Sequence, residues 1–245
     1  MELRFVHFYP DLMSLYGSWG NLALLKRHLE DIGNTVTVDE VRPGEDARLE
    51  DADFLFMGAG TERSQRAALM DFQRFGKEIR DAADAGTAML FCGTAMQLLG
   101  QSITDAAGSV YDGVGVGAFK SVQGKKRYVG DVYGRTDLYS APVVGFMNSC
   151  TVISGVLTPL VTELAMGFGN ERDRGPEGFR KKGVFASELT GPILVKNPPL
   201  LRRVMEAIYA NRGETLPETL PEYPMEEESF RIACRELKAR AAETK

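Results

Sequence analysis

Cys92 stands between an apolar run, Ala88-Met89-Leu90-Phe91, and a glycine, Gly93. The run is too short for a helix and suits a strand buried on both faces. Gly93 permits a sharp turn, and Thr94-Ala95-Met96-Gln97 has the spacing of a capping box that would start a new helix. A cysteine at such a strand-turn-helix corner is lifted above the sheet beside a helix N-terminus. There the dipole favours a thiolate and backbone N–H groups can hold an oxyanion. The competing reading is that Cys92 closes the strand as a small buried apolar residue, the commoner fate of a free cysteine. A second feature suited to the same chemistry is Gly58-Ala59-Gly60-Thr61-Glu62, whose glycines let backbone N–H groups approach a ligand as an oxyanion or phosphate cradle requires. The spacing of a nucleotide-binding glycine loop is absent there.

Imidazole, the usual proton carrier, is scarce. The chain has two histidines, His7 and His28, and three cysteines, Cys92, Cys150 and Cys234. His7 falls inside the first predicted strand and reads as a packed histidine rather than a catalyst, and His28 falls on the exposed side of the first predicted helix. Three cysteines without Cys-x-x-Cys spacing argue against a disulfide framework or a zinc site, and no metal or cofactor is expected. Cys150 reads as a buried loop thiol in preference to a nucleophile.

The elements that must position these groups alternate. The 245 residues are 44% hydrophobic and 26% charged, with a net charge of −5 and no basic tract. Neither nucleic acid nor an anionic membrane surface is expected as a partner. No apolar run reaches the roughly 18 residues of a membrane span and no signal-like apolar core opens the chain, so a cytoplasmic protein is expected. Strands are predicted at 3–8, 35–41, 53–57 and 88–92, with helices at 21–32, on a Leu22, Leu25, Leu29 stripe, and at 64–85. This order implies parallel βαβ units in a doubly wound α/β sheet flanked by helices, with ligands at the strands' carboxyl ends.

After Gly100 the pattern changes to short, mostly antiparallel strands, predicted at 114–119, 128–133, 143–146, 151–156, 164–168 and 184–186. A turn over 191–199 leads into a helix at 200–211, capped by Asn197. Residues 1–212 are expected to form one domain. A linker at 213–224 holds Pro217, Pro221 and Pro224, and 225–245 forms a helical tail whose Phe230, Ala233, Leu237 and Ala241 stripe packs on its own domain.

Several motifs occur together in order: Tyr9-Pro10-Asp11-Leu12-Met13-Ser14-Leu15-Tyr16-Gly17 with Gly20-Asn21; Phe56-Met57-Gly58-Ala59-Gly60; the Cys92 corner; Arg127-Tyr128-Val129-Gly130-Asp131; Gly145-Phe146-Met147-Asn148; and Thr190-Gly191-Pro192-Ile193-Leu194-Val195-Lys196-Asn197-Pro198. Over residues 3–212 this set resembles class I glutamine amidotransferase domains of the cobyric acid synthase type, which are flavodoxin-like. Within that group it is most similar to the glutaminase subunits of lipid II isoglutaminyl synthases. The resemblance implies that a cysteine, Cys92, attacks the glutamine amide to form a γ-glutamyl thioester and release ammonia. Gly58, Ala59, Gly60 and Gly93 would then surround the oxyanion and substrate, Arg127 would bind charged substrate groups, and Asn148 would line the site. It also implies a Mur-ligase-like synthetase partner that receives the ammonia, with glutamine or a related small molecule as ligand.

The sequence departs from that family pattern. The family has four steps from its cysteine to the glutamine, whereas Cys92 to Gln97 is five. That count puts Gly93 at the nucleophile position and Cys92 one residue early, facing the other way. Thr190 stands where the family has its histidine, and a hydroxyl cannot shuttle protons at neutral pH as imidazole does. Asn148-Ser149-Cys150 replaces an Asn-His pair. Three readings stay open. One is a glutaminase with altered machinery, using Cys92 or Cys150 as nucleophile and Glu188 or a partner's group as base. Another is a binding or regulatory subunit of a ligase whose hydrolysis is weak or lost. The third is a small-molecule-binding protein reusing the crevice.

Overall fold

A computed structural model describes residues 1–243. The first part of the chain forms β1 (Glu2–Phe8), α1 (Gly20–Asp31), β2 (Thr35–Val41), β3 (Phe54–Met57), α2 (Glu62–Phe72), α3 (Gly76–Ala85), β4 (Ala88–Cys92) and the single-turn α4 (Ala95–Leu98). Every residue of β3 and β4 is buried, as expected of central strands covered by helices on both faces. The helix expected over 64–85 is broken by a 3-10 turn at Gln73–Phe75. In such a turn residues i and i+3 eclipse, so Phe72 and Phe75 both enter the core.

The remainder forms β5 (Ser102–Thr104), β6 (Val110–Asp112), β7 (Lys120–Arg135), β8 (Pro142–Ser154), β9 (Glu163–Met166), β10 (Phe179–Lys181), β11 (Val184–Ser187), β12 (Leu189–Thr190), α5 (Ile193–Lys196), α6 (Pro198–Asn211) and α7 (Pro224–Glu243). Two six-stranded sheets result. The first has the order β10-β11-β4-β3-β1-β2 and is parallel except for β10; the second runs β12-β8-β7-β5-β6, with β9 also on β7. Residues 184–186, expected among the antiparallel strands, therefore return to the parallel sheet beside β4. The strands expected at 143–146 and 151–156 are one continuous strand, β8.

The pairing of β7 with β8 slips between Gln123 and Tyr128, which oppose Thr151 and Ser149. Residues 124–127 thus bulge out opposite Cys150, and the bulge carries Arg127 out of the ladder. Asn197 does not cap α6 with its side chain. Its Oδ1 accepts from the Val144 N–H and its Nδ2 donates to the Val144 and Ile193 carbonyls, clamping β8 to α5.

His28 is a correction to the expected exposed position. It is buried, stacked on Tyr223 with ring centroids 3.8 Å apart, and its Nε2 lies 3.0 Å from Glu226 Oε2. In α7, Leu237 and Ala241 are buried and Arg240 pairs with Asp131 of β7. The last two residues of the predicted tail, Thr244 and Lys245, lie outside the described residues. Among the described residues, no helix is long and apolar enough to cross a membrane.

Candidate active site

β4 ends at Cys92 and the chain turns at Gly93 with φ +59°, a left-handed conformation that glycine takes without steric cost. A cavity of about 230 Å3 opens there, at the carboxyl ends of β3 and β4. Ala59, Gly60, Gly93, Arg127, Asn148, Glu188 and Thr190 all line it, so the structure brings together most of the residues singled out in the sequence.

Cys92 is not among them. Side chains alternate along β4, and Leu90 and Cys92 enter the core layer under α1 and α6 while Met89 and Phe91 enter the opposite one. The Cys92 thiol is fully buried, with Asn21 Nδ2 at 3.7 Å. Burial, reinforced by the charge of Glu177, pushes it far above the usual thiol range. A thiol so placed stays protonated and has no path to a ligand in the cavity. The one-residue displacement counted from Gln97 is thus a change of face, and Gly93 occupies the corner.

The glycine loop is tied to the segments on either side of it. A Cβ on Gly58 would lie 2.2 Å from Ser18 Oγ and 2.3 Å from the Met13 carbonyl, so glycine is needed for the loop to pack under the β1–α1 segment, behind the cavity. The Ala59 N–H donates to Ser18 Oγ (3.1 Å) and the Gly60 N–H to Thr94 Oγ1 (3.0 Å), whose own hydroxyl donates back to the Gly60 carbonyl. Two N–H groups that an oxyanion would use are therefore engaged. Thr94 makes no cap bond to α4, and Gln97 does not reach back to it as a capping box requires. Gln97 Nε2 donates to Glu188 Oε1 (2.9 Å) and its Oε1 accepts from Gln65 (2.8 Å).

Thr190 Oγ1 donates to the Phe146 carbonyl at 3.0 Å and offers no base. Glu188 is buried in an ion pair, its Oε2 2.5 Å from Arg172 Nη2, while its Oε1 accepts from Ser149 and Gln97. Burial raises its carboxyl, against the pull of Arg172. Every oxygen of Glu188 is thus committed to the fold, and it is not a free base. Beside it Glu177, fully buried, accepts from Ser187 Oγ (2.9 Å) and the Glu188 N–H (2.7 Å), and burial raises its carboxyl to about 7.

Arg127 lies at the cavity mouth, its Nη2 2.5 Å from Glu62 Oε1 and its Nη1 3.1 Å from Asn148 Oδ1. Asn148 Nδ2 in turn donates to Tyr16 Oη at 2.7 Å. Cys150 adjoins this cluster, with Sγ 3.4 Å from Glu62 Oε1, and burial together with that carboxylate raises its thiol. Glu62, Arg172 and Glu177 were not singled out in the sequence. For Glu62 a signal existed, because Thr61 caps α2 through Ser64 N (3.1 Å) and places the next residue at the helix start. The first and last motifs meet through Asn21, whose Oδ1 accepts from the Leu194 N–H at 2.8 Å. Among the described residues, no group of three or more His, Cys, Asp or Glu is arranged to hold a metal ion.

A glycine loop, a strand-to-helix corner and Thr190 of the returning Thr-Gly-Pro segment border one crevice at the carboxyl ends of a parallel sheet, the arrangement expected of an amidotransferase-fold protein. Residues 4–198 match the CobB/CobQ-like glutamine amidotransferase domain, and the chain belongs to that family. It is 32% identical over 227 residues, covering 91% of this chain and 86% of the relative, to the lipid II isoglutaminyl synthase (glutamine-hydrolyzing) subunit GatD of Streptococcus pneumoniae. Against the subunit of the same name from Staphylococcus aureus the identity is 26% over 213 residues, 86% of each chain. A crystal structure of a glutamine amidotransferase shares the fold with a TM-score of 0.50 at 18% identity, covering 83% of this chain and 98% of that one.

Proposed function

We propose that this chain is an amidotransferase-fold subunit of a lipid II isoglutaminyl synthase-type assembly that binds glutamine or a similar amino acid without hydrolysing it at a useful rate. The observation that carries this is Gly93 at the corner, where the family chemistry requires a thiol. Thr190 in place of the base and the engaged N–H groups of Ala59 and Gly60 support it. Loss of a nucleophile and its base together costs an acyl-transfer enzyme several orders of magnitude. The Arg127 and Glu62 pair at the cavity mouth suits the opposite charges of an amino-acid head group, carboxylate on the guanidinium and ammonium on the carboxylate. The partner is a Mur-ligase-like synthetase, which would draw ammonia from another source, and the assembly would work in the cytoplasm.

The test is ammonia release from glutamine by the purified chain, alone and co-expressed with such a synthetase, alongside glutamine titration by calorimetry. Ammonia at background level and glutamine binding that is lost in Arg127→Ala are expected. Steady turnover abolished by Cys92→Ala or Cys150→Ala would overturn the proposal.

A further inference from the structure

A second cavity, of about 440 Å3, opens where the β10–β11 turn, the loop after β8 and α6 meet. Four of its lining side chains are cations, Arg180, Lys181, Lys182 and Arg203, and no carboxylate is among the described residues that line it. Asp137, Asp84 and Glu206 pair with three of these cations from outside the lining, so the cavity offers a cluster of cationic donors that is largely charge-compensated. Phe179 and Phe185 give it an apolar floor. The cavity is separate from the amidotransferase crevice. Lys181 and Lys182 precede the amino end of β11, whereas Ser187, at its carboxyl end, accepts the Gly93 N–H (2.7 Å). A strand of this length spans roughly 13 Å at about 3.3 Å per residue.

The present partners of the cations are replaceable. Arg180 reaches Asp137 (2.5 Å) and the Pro159 carbonyl (3.0 Å), Lys181 reaches Asp84 (2.6 Å) and the Val116 carbonyl (3.4 Å), Arg203 reaches Glu206 (2.6 Å) and Lys182 reaches the Asp84 carbonyl. Asp84 and Asp137 are exposed, and surface pairs of this kind contribute only about 0–1 kcal/mol. Lys182 also holds φ +48°, a backbone conformation that glycine or asparagine takes more readily than lysine.

We propose that this cavity binds a nucleotide, its phosphates held by Arg180, Lys181, Lys182 and Arg203 and its base resting on the Phe179 and Phe185 floor. The volume falls in the range of about 300–1,000 Å3 typical of small-molecule sites and exceeds what a lone phosphate fills. Guanidinium and ammonium groups together suit the spread charge of a phosphate chain. The site is independent of whether the other crevice hydrolyses glutamine.

Calorimetric titration of the full chain with AMP, ADP and ATP, and with adenosine and inorganic phosphate at the same ionic strength, tests it. At least one nucleotide should bind with Kd below about 100 µM, with adenosine and phosphate at least about tenfold weaker. The double variant Lys181→Ala/Lys182→Ala, and separately Arg203→Gln, should each weaken binding about tenfold. Lys125→Ala/Lys126→Ala, an equal change of charge elsewhere, should leave it within about twofold. Three results would each overturn the proposal: no nucleotide binding below about 1 mM, inorganic phosphate binding as tightly as the nucleotides, or equal loss in the two double-lysine variants.

Discussion

Gly93 and Ala59 approach so closely that a Cβ built on Gly93 would lie 2.7 Å from the Ala59 Cβ. The Ala59 methyl fills the space a corner side chain would occupy, so the glycine and the alanine are coupled. Gly93→Cys alone should destabilise the chain by about 1–3 kcal/mol, from overpacking and from a non-glycine residue at positive φ. Adding Ala59→Gly should recover about 1 kcal/mol or more in a double-mutant cycle followed by urea unfolding. Strict additivity would show that the two positions do not share this space.

Cys92 should be inert in the native protein. During alkylation by iodoacetamide at pH 8, peptide mass spectrometry should find Cys234, half-buried on α7, modified before Cys150, and Cys92 protected until global unfolding. Native labelling of Cys92 at the rate of Cys234 would contradict its burial.

Removing Arg172 should leave Glu188 buried without its counter-charge. Arg172→Leu is expected to cost about 3–5 kcal/mol in urea unfolding, and Arg172→Leu/Glu188→Gln distinctly less. An equal cost for the single and double variants would mean that the pair is not energetically linked.

Glu177 should make stability fall with rising pH. Burial raises its carboxyl from 4.5 to about 7, so the folded state holds this proton more tightly than the unfolded state does. Its contribution is greatest below pH 4.5, declines through the window up to about 7 and is flat above. The full change is at most about 3 kcal/mol at 1.36 kcal/mol per unit. Glu188 is raised as well and adds a slope of the same sign. Glu177→Gln, which mimics the protonated acid, should flatten its share of the slope and stabilise the chain at pH 8. Unfolding free energies at pH 5, 6, 7 and 8 that run parallel in the two proteins would refute this.

The parallel half of the fold was legible because its signals are local. β4 lies between Gly86-Thr87 and Gly93, and its apolar run allowed no other element. The displaced cysteine was legible too, since counting from Cys92 to Gln97 needs only the chain. Residues 114–119 misled because Val114, Val116 and Phe119 are core residues carried on irregular chain. Their segment sends the Val114, Gly115 and Gly117 N–H groups to the Leu98, Gly100 and Leu99 carbonyls rather than to a strand. An apolar run records burial and leaves open which backbone partner it will find. His28 was misplaced because what covers it, Tyr223 and Glu226, comes from remote sequence. Arg172 and Glu177 fall between the predicted elements at 164–168 and 184–186, and they are enclosed with Glu188 only once β11 returns.

The return of β11 to β4 also constrains how the chain can fold. Val184 pairs with Met89, so every strand of the second sheet except β12 is spun out between two neighbouring strands of the first. Closing so long a loop is entropically slow, and pairing at such separation delays the final docking. Until β11 arrives, β4 presents an unpaired edge of five apolar residues, the kind of edge that recruits other chains. During refolding this is the segment most exposed to aggregation, and yield should depend on protein concentration before it depends on anything at the corner.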